Sequence, residues 1–254
     1  MTEHIKTRIE DGVMYVAMNR ADKKNAITQA MYLAMTEAFN RARTDDAVRA
    51  VMISGEGDDF SSGNDIADFM KLGQSGGDLV DSDVFKFLKS LADLDKPLVA
   101  AVRGRAVGVG LTMLLHCDFV VVAKDAKLST PFVNLALVPE AASTLLLPRM
   151  IGHPRAFEMF ALGEPIDGGQ AYEWGLANRA VPCNVVEAVA IDIAQRLSKR
   201  APNALRQTKA LMRDASAMWE LMQREGSIFS AQMQSPEAME AFMAFMQKRQ
   251  PNFG

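Results

Sequence analysis

Apolar residues along this chain fall into two patterns, short continuous runs and helical spacing. "GVMYVAM" (Gly12–Met18) is almost wholly apolar and reads as a strand. The polar stretch "NRADKKNAIT" follows and ends at Thr28, whose hydroxyl suits a helix cap. From there Met31, Met35, Ala38, Phe39 and Ala42 recur at helical spacing, giving one apolar helix face. "VRAVMISG" (Val48–Gly55) is an apolar run closed by glycine, as expected of a strand buried on both faces. "VFKFLKSLADL" reads as the next helix, and "KPLVAAVRG" (Lys96–Gly104), led in by Pro97, as the next strand. "RAVGVGLTMLLHC" is a glycine turn running into a buried helix, and "DFVVVAKDA" is a further strand. Strand and helix alternate, which predicts parallel crossovers and an α/β core.

Two segments stand apart from this rhythm. "LGQSGGDLVDSD" (Leu72–Asp83) is polar and glycine-rich and reads as a mobile loop. After about residue 140 the reading contains helices and turns but no further strands. It ends with "PEAMEAFMAFMQKRQ", where Met239, Phe242, Met243 and Met246 share one face behind the helix start at Ser235 and Pro236. The expected division is a core over residues 1–195 and a helical region over 196–254. That apolar-faced tail fits either contacts between copies of the chain or packing on its own core.

Composition narrows the function classes. The chain has 254 residues, enough for one large domain or one with a small appendage. It is 49% hydrophobic and 23% charged, the balance of a soluble globular protein. A net charge of -3 without a basic stripe argues against a nucleic-acid partner. The Lys23-Lys24 pair still suits a small anionic ligand. Cys117 and Cys183 form no CxxC, and His4, His116 and His153 are scattered, so neither a disulfide scaffold nor a metal site is expected. No signal-peptide core opens the sequence, no apolar run reaches the ~18–20 residues of a membrane span, and "PNFG" is not a peroxisomal address. The expected location is the cytoplasm. The 17 methionines read mainly as core filler, with an adaptable ligand tunnel as the alternative.

"GVG" (Gly108–Gly110) lacks the third glycine of a dinucleotide loop, since Met113 stands there. No phosphate-binding GxxxxGK[ST] is present. His116 and Cys117 are helix neighbours that point in different directions, so they read as core residues. Two glycine turns remain, "FSSGNDI" (Phe60–Ile66) and "GRAVGVGL". If they lie side by side, the Ser62 and Val109 N–H groups can converge on one oxygen as an oxyanion hole. One such donor is typically worth ~3–4 kcal/mol. The alternative is a pair of ordinary strand-to-helix turns.

These stretches, with "KPLVAAVRGRAVGVGLTMLLHCDFVVVAKDAKLSTPFVNLALVPE", "RAFEMFALGEPIDGGQAYEWGLANRAV" and "MAFMQKRQPNF", run in the order seen in the crotonase, or enoyl-CoA hydratase/isomerase, superfamily. The chain resembles that family from about residue 5 to its end. The resemblance implies a spiral of ββα units with a C-terminal helical region that builds homotrimers or dimers of trimers. It implies an acyl-CoA ligand, a role in fatty acid β-oxidation, and no cofactor beyond the CoA of the substrate. The Ser62 and Val109 N–H groups would hold the thioester oxygen. CoA would lie near Lys24, Ala26 and the segment Ser62, Gly63, Asn64, Asp65 and Ile66. Phe132 and Leu135 would belong to the binding site, and Phe245 and Lys248 match positions that touch CoA on a neighbouring subunit.

The resemblance also bears on the reaction. Hydratases of the family use two glutamates, at positions filled here by Thr112 and Phe132, and neither residue takes a proton from water near neutral pH. "LVPEAAST" instead resembles the Pro-Glu of Δ3,Δ2-enoyl-CoA isomerases, which implies Glu140 as the catalytic base. Phe132, Leu135, Leu137 and Val138 would surround it with apolar surface and raise its pKa. One carboxylate suffices for a double-bond shift, taking a proton at C2 and returning it at C4. The alternative for Glu140 is a cap on the helix expected to start near Ala141. Asp65 reads as structural. A hydratase or other lyase, and a non-catalytic acyl-CoA-binding module, are the alternative functions.

Overall fold

The computed structural model of the protein describes residues 2–74 and 82–254. β1 (Ile5–Glu10) and β2 (Val13–Met18) form an antiparallel hairpin, and β2 leads through the polar loop to α1 (Gln29–Thr44). Thr28 caps α1 by accepting the Met31 N–H, and Met31, Met35, Ala38, Phe39 and Ala42 are all buried. β1 was not anticipated. It is an edge strand with mostly exposed side chains, so it lacks the apolar run that marks β2.

β3 (Ala50–Gly55) is followed by α2 (Ile66–Gln74) and α3 (Asp83–Asp93). The segment expected as a loop over Leu72–Asp83 is helical at both ends: α2 runs through Leu72 to Gln74, and Asp83 opens α3. Residues 75–81 lie outside the described residues. β4 (Leu98–Val102), β5 (Arg105–Val107) and the one-turn α4 (Val109–Thr112) follow, then β6 (Phe119–Ala123) and β7 (Lys127–Ser129). α5 (Ser143–Ile151), α6 (His153–Leu162), β8 (Ile166–Asp167), α7 (Gly168–Glu173), β9 (Arg179–Val181) and α8 (Val186–Ser198) complete the core. Strands thus continue past residue 140. β8 and β9 have only two and three residues, too short for a periodic signal.

The six-stranded sheet has the order β1-β2-β3-β4-β6-β9 and is parallel from β2 to β9. A second layer holds β5-β7-β8. Single bridges continue this layer, pairing Ser61 with Ala106 and Ile27 with Asn64. Each ββα turn of the spiral therefore sends one strand to the large sheet and one short strand or bridge to the small one. Both faces of β3 and β4 are covered, which explains their unbroken apolar sequence.

α9 (Pro202–Met212), α10 (Ala215–Met233) and α11 (Pro236–Gln247) form the C-terminal region. α8 runs to Ser198, three residues beyond the expected division at 195. α9 buries no residue, and Leu211 and Met212 are 88% and 80% exposed. α10 packs on α3, where the Phe85 and Trp219 rings meet edge-on with centroids 6.2 Å apart. α11 turns Phe242 inward and leaves Met239, Met243 and Met246 exposed. The expected apolar face is thus divided between the interior and the surface.

Candidate active site

The two glycine turns lie side by side. The Ser61 N–H donates to the Arg105 carbonyl at 2.9 Å, and the Val107 N–H donates to the Ser61 carbonyl at 3.0 Å. Gly63 sits at φ +88°, and a Cβ there would come within 2.7 Å of the Val107 carbonyl oxygen. Only glycine meets both conditions without displacing β5. The polar loop after β2 is fastened to the same turn. Asn25 accepts the Arg20 N–H and donates to the Glu56 and Asp59 carbonyls, and the Ser61 hydroxyl donates to the Asn25 carbonyl.

The donor assignment within "FSSGNDI" needs correction. The Ser62 N–H donates to the Lys24 carbonyl at 2.9 Å and so is committed to the fold. The Asn64 N–H has no acceptor among the described residues. Its bridge partner Ile27 bonds Gly63 and Asp65 on either side, which leaves the Asn64 N–H facing away. The signal was the glycine itself: its positive φ re-aims the chain between Ser62 and Asn64. The Val109 N–H also lacks an acceptor among the described residues. Asn64 and Val109, not Ser62 and Val109, offer the two open donors.

Two chambers adjoin these donors. The larger, about 320 Å³, is lined by Lys23, Ala26, Ser62, Gly63, Asn64, Asp65 and Ile66 on one side. Val109, Phe132, Leu135 and Phe245 contribute elsewhere. The smaller, about 20 Å³, is walled by Tyr32, Phe69, Phe85, Leu88, Gly226 and Phe229 and reaches Glu140. Both chambers include Asn64 and Val109, so the open donors stand at their junction. Among the described residues no methionine lines either chamber, which favours the core-filler reading.

Among the expected ligand contacts, Lys24 is placed differently. Lys23 rather than Lys24 lines the large chamber; Lys24 has a left-handed backbone and contributes its carbonyl to the Ser62 bond. Phe245, although 59% exposed, lines the chamber of its own chain, because α11 folds back over Phe132 and Leu135. Lys248 terminates α11 in a left-handed conformation and lines neither chamber. Asp65 is structural as expected, pairing with Arg20 at 2.7 Å and accepting the Asp68 N–H.

Glu140 is buried, with 8% of its surface exposed. The Thr112 hydroxyl donates to its Oε1 at 2.5 Å, while its Oε2 is buried without a partner. Burial pushes the carboxyl pKa up to about 8; the Thr112 bond opposes that shift and the Glu225 carboxylate adds to it. Glu140 does not cap a helix. α5 starts at Ser143, and Glu225 from α10 accepts the Ala142 N–H at 2.7 Å and the Thr144 N–H at 3.2 Å. Between Glu140 and α5, Ala141 and Ala142 sit at φ 62° and 55°, left-handed values that cost about 1–3 kcal/mol each.

His116 holds this bend. Its Nε2 lies 2.8 Å from the Ala141 carbonyl and its Nδ1 2.9 Å from the Arg213 guanidinium. Arg213 can only donate, so Nδ1 accepts and Nε2–H donates. Burial lowers the His116 pKa to about 3, with Arg213 adding to the shift, so the ring stays neutral. Cys117 is unrelated to the site, its thiol pushed up to about 12 by burial. The sequence reading missed this brace because Glu225 lies far along the chain from Glu140. Among the described residues no group of His, Cys, Asp and Glu is placed to hold a metal, and no helix is long and apolar enough to cross a membrane.

The arrangement offers two backbone donors for an oxygen and one buried carboxylate beside an apolar chamber. Comparison with known proteins shows the family. A family model described as enoyl-CoA hydratase/isomerase matches residues 8–254. Enoyl-CoA delta isomerase 3, peroxisomal, of Mus musculus is 36% identical over 80% of this chain, which spans 65% of that relative's length. A probable enoyl-CoA hydratase of Bacillus subtilis is 32% identical over 90% of both chains. The solved structure of Pseudomonas aeruginosa OdaA superposes with a TM-score of 0.92 at 46% identity, covering 96% of this chain and 99% of that one.

Proposed function

The chain belongs to the enoyl-CoA hydratase/isomerase family, with its crotonase fold, and we propose that within it the protein is a Δ3,Δ2-enoyl-CoA isomerase. The observation that carries this reading is the Glu140 carboxylate, buried beside Asn64 and Val109 with one oxygen unpartnered. The thioester oxygen of a 3-enoyl-CoA accepts the Asn64 and Val109 N–H bonds, which acidifies the C2 proton. Glu140 takes that proton, the hole stabilises the dienolate, and the resulting carboxyl group returns a proton at C4. The carboxylate is regenerated, so the cycle needs neither cofactor nor water. A pKa of about 8 places the base near neutral working pH.

CoA occupies the larger chamber in this reading, with Lys23 meeting its phosphates, and the reacting carbons occupy the smaller. α9, with its exposed Leu211 and Met212, and the exposed methionines of α11 supply contacts for a homotrimer or dimer of trimers. The reading places the enzyme in cytoplasmic fatty acid β-oxidation. Incubation with a 3-enoyl-CoA tests it: the conjugated 2-enoyl thioester should accumulate. Conversion of a 2-enoyl-CoA to a 3-hydroxyacyl-CoA instead would identify a hydratase. Tight acyl-CoA binding without turnover of either isomer would identify a binding module.

A further inference from the structure

We infer that Thr112 is a positioning residue for the base: its hydroxyl holds Glu140 Oε1 and leaves Oε2 as the single oxygen that exchanges protons with the substrate. The inference rests on the isomerase reading and adds to it a residue that never touches the substrate. Thr112 is fully buried at the end of α4, one turn beyond Val109. It is thus rigidly tied to the element that carries one of the two open donors. Its hydroxyl lies 2.5 Å from Oε1, and Oε2 has no partner. A carboxylate with two equivalent free oxygens can rotate about its last bond. Anchoring Oε1 removes that freedom and fixes the direction from which Oε2 meets C2 and C4.

The bond also has an electrostatic role. A hydroxyl donating to Oε1 favours the charged carboxylate, opposing the burial that favours the neutral acid. One other titratable group shifts Glu140: Glu225 on α10 raises its pKa. In the other direction, burial and then the Glu140 charge raise the pKa of the Tyr32 hydroxyl on α1, which donates to Asn64 Oδ1. Thr112 is the neighbour that pulls in the direction of the active base.

The test is Thr112→Val, nearly isosteric but without the hydroxyl, beside Thr112→Ser, which keeps it. With a 3-enoyl-CoA, Thr112→Val should lower kcat about 10- to 100-fold, the range for losing a hydrogen bond to a charged group. KM should change less than about twofold, since bound substrate does not touch the residue. The rise of kcat/KM with pH should move to higher pH, because a bond that favours the carboxylate is gone. Thr112→Ser should restore both rate and pH profile. An unchanged kcat and an unmoved profile in Thr112→Val would overturn the inference, as would a loss that serine does not rescue. If the valine variant does not fold, Thr112→Ala is read by the same criteria. Glu140→Gln run in parallel separates the two levels. Full activity in that variant overturns the base itself, whereas an inactive Glu140→Gln beside an unaffected Thr112→Val overturns only the role of Thr112.

Discussion

The two halves of the site are built from opposite materials. In the proposed function, the thioester-binding half is backbone: two N–H groups at Asn64 and Val109, aimed by glycine turns that hydrogen-bond to each other. The proposed acid–base half is one side chain, Glu140, on a left-handed bend held by contacts from Thr112, His116 and Glu225. A backbone donor keeps its chemistry whatever side chain sits above it, so that half tolerates substitution as long as the turn survives. A carboxylate has no such protection. The difference teaches that activation belongs to the fold, while the choice of reaction rests on a few side chains.

Glu140→Gln probes the contrast most sharply. It should reduce isomerisation by about 10²–10⁴-fold, the range for a positioned acid–base group, with acyl-CoA affinity nearly unchanged by calorimetry. The same residue links activity to pH. The carboxyl pKa is raised in the fold to about 8 from the ordinary 4.5, so its contribution to stability is complete below the ordinary value and is lost as pH rises through about 8. Activity, which needs the carboxylate, rises over that same window. Glu140→Gln should therefore melt higher than the parent above pH 8, with the difference shrinking as the pH falls. A constant difference across about two pH units below the transition and one above it would contradict the raised pKa.

Gly63→Ala attacks the other half. The left-handed φ and the 2.7 Å approach to Val107 predict a loss of about 1–3 kcal/mol in denaturant unfolding, with weakened binding and turnover together. Retained affinity would mean that the turn can relax without moving its donors. Glu225→Gln should act through the bend and, by removing a charge that raises the Glu140 pKa, on the base as well. One amide oxygen cannot accept from Ala142 N–H, Thr144 N–H and the Thr144 hydroxyl as the carboxylate does, so about 1–3 kcal/mol of stability should be lost. Turnover should fall while KM holds. The smallest effect is expected for Ser62→Ala. The hydroxyl makes only a 3.4 Å contact to the Lys23 carbonyl, and the N–H that pairs with Lys24 is untouched. A rate within about twofold of the parent is expected, and a larger loss would give the hydroxyl a role of its own.

Much of the backbone half was legible in the sequence. The apolar runs of β2, β3, β4 and β6 and the glycines of both turns are local signals, but spacing alone left the pairing of the turns open, and it is the Ser61 bonds to Arg105 and Val107 that join them. Two further parts were not legible. The donor fell on Asn64 instead of Ser62 because a positive φ at Gly63 reverses the chain's orientation within two residues, finer than any periodicity resolves. β1, β8 and β9 escaped because edge strands carry few buried side chains. The acid–base half showed only Glu140 itself. Its brace depends on contacts from Thr112, His116 and Glu225, brought together by packing rather than by spacing, and the strain at Ala141 and Ala142 leaves no compositional trace.

The placement of Phe242 and Phe245 from α11 against the large chamber joins ligand affinity to the end of the chain. A bound molecule that touches those rings stabilises the docked helix, and by thermodynamic reciprocity the docked helix stabilises the bound molecule by the same amount. Amide hydrogen exchange along α11 thus becomes a reporter of occupancy: protection there should rise with ligand concentration and saturate at the dissociation constant measured for the chamber itself.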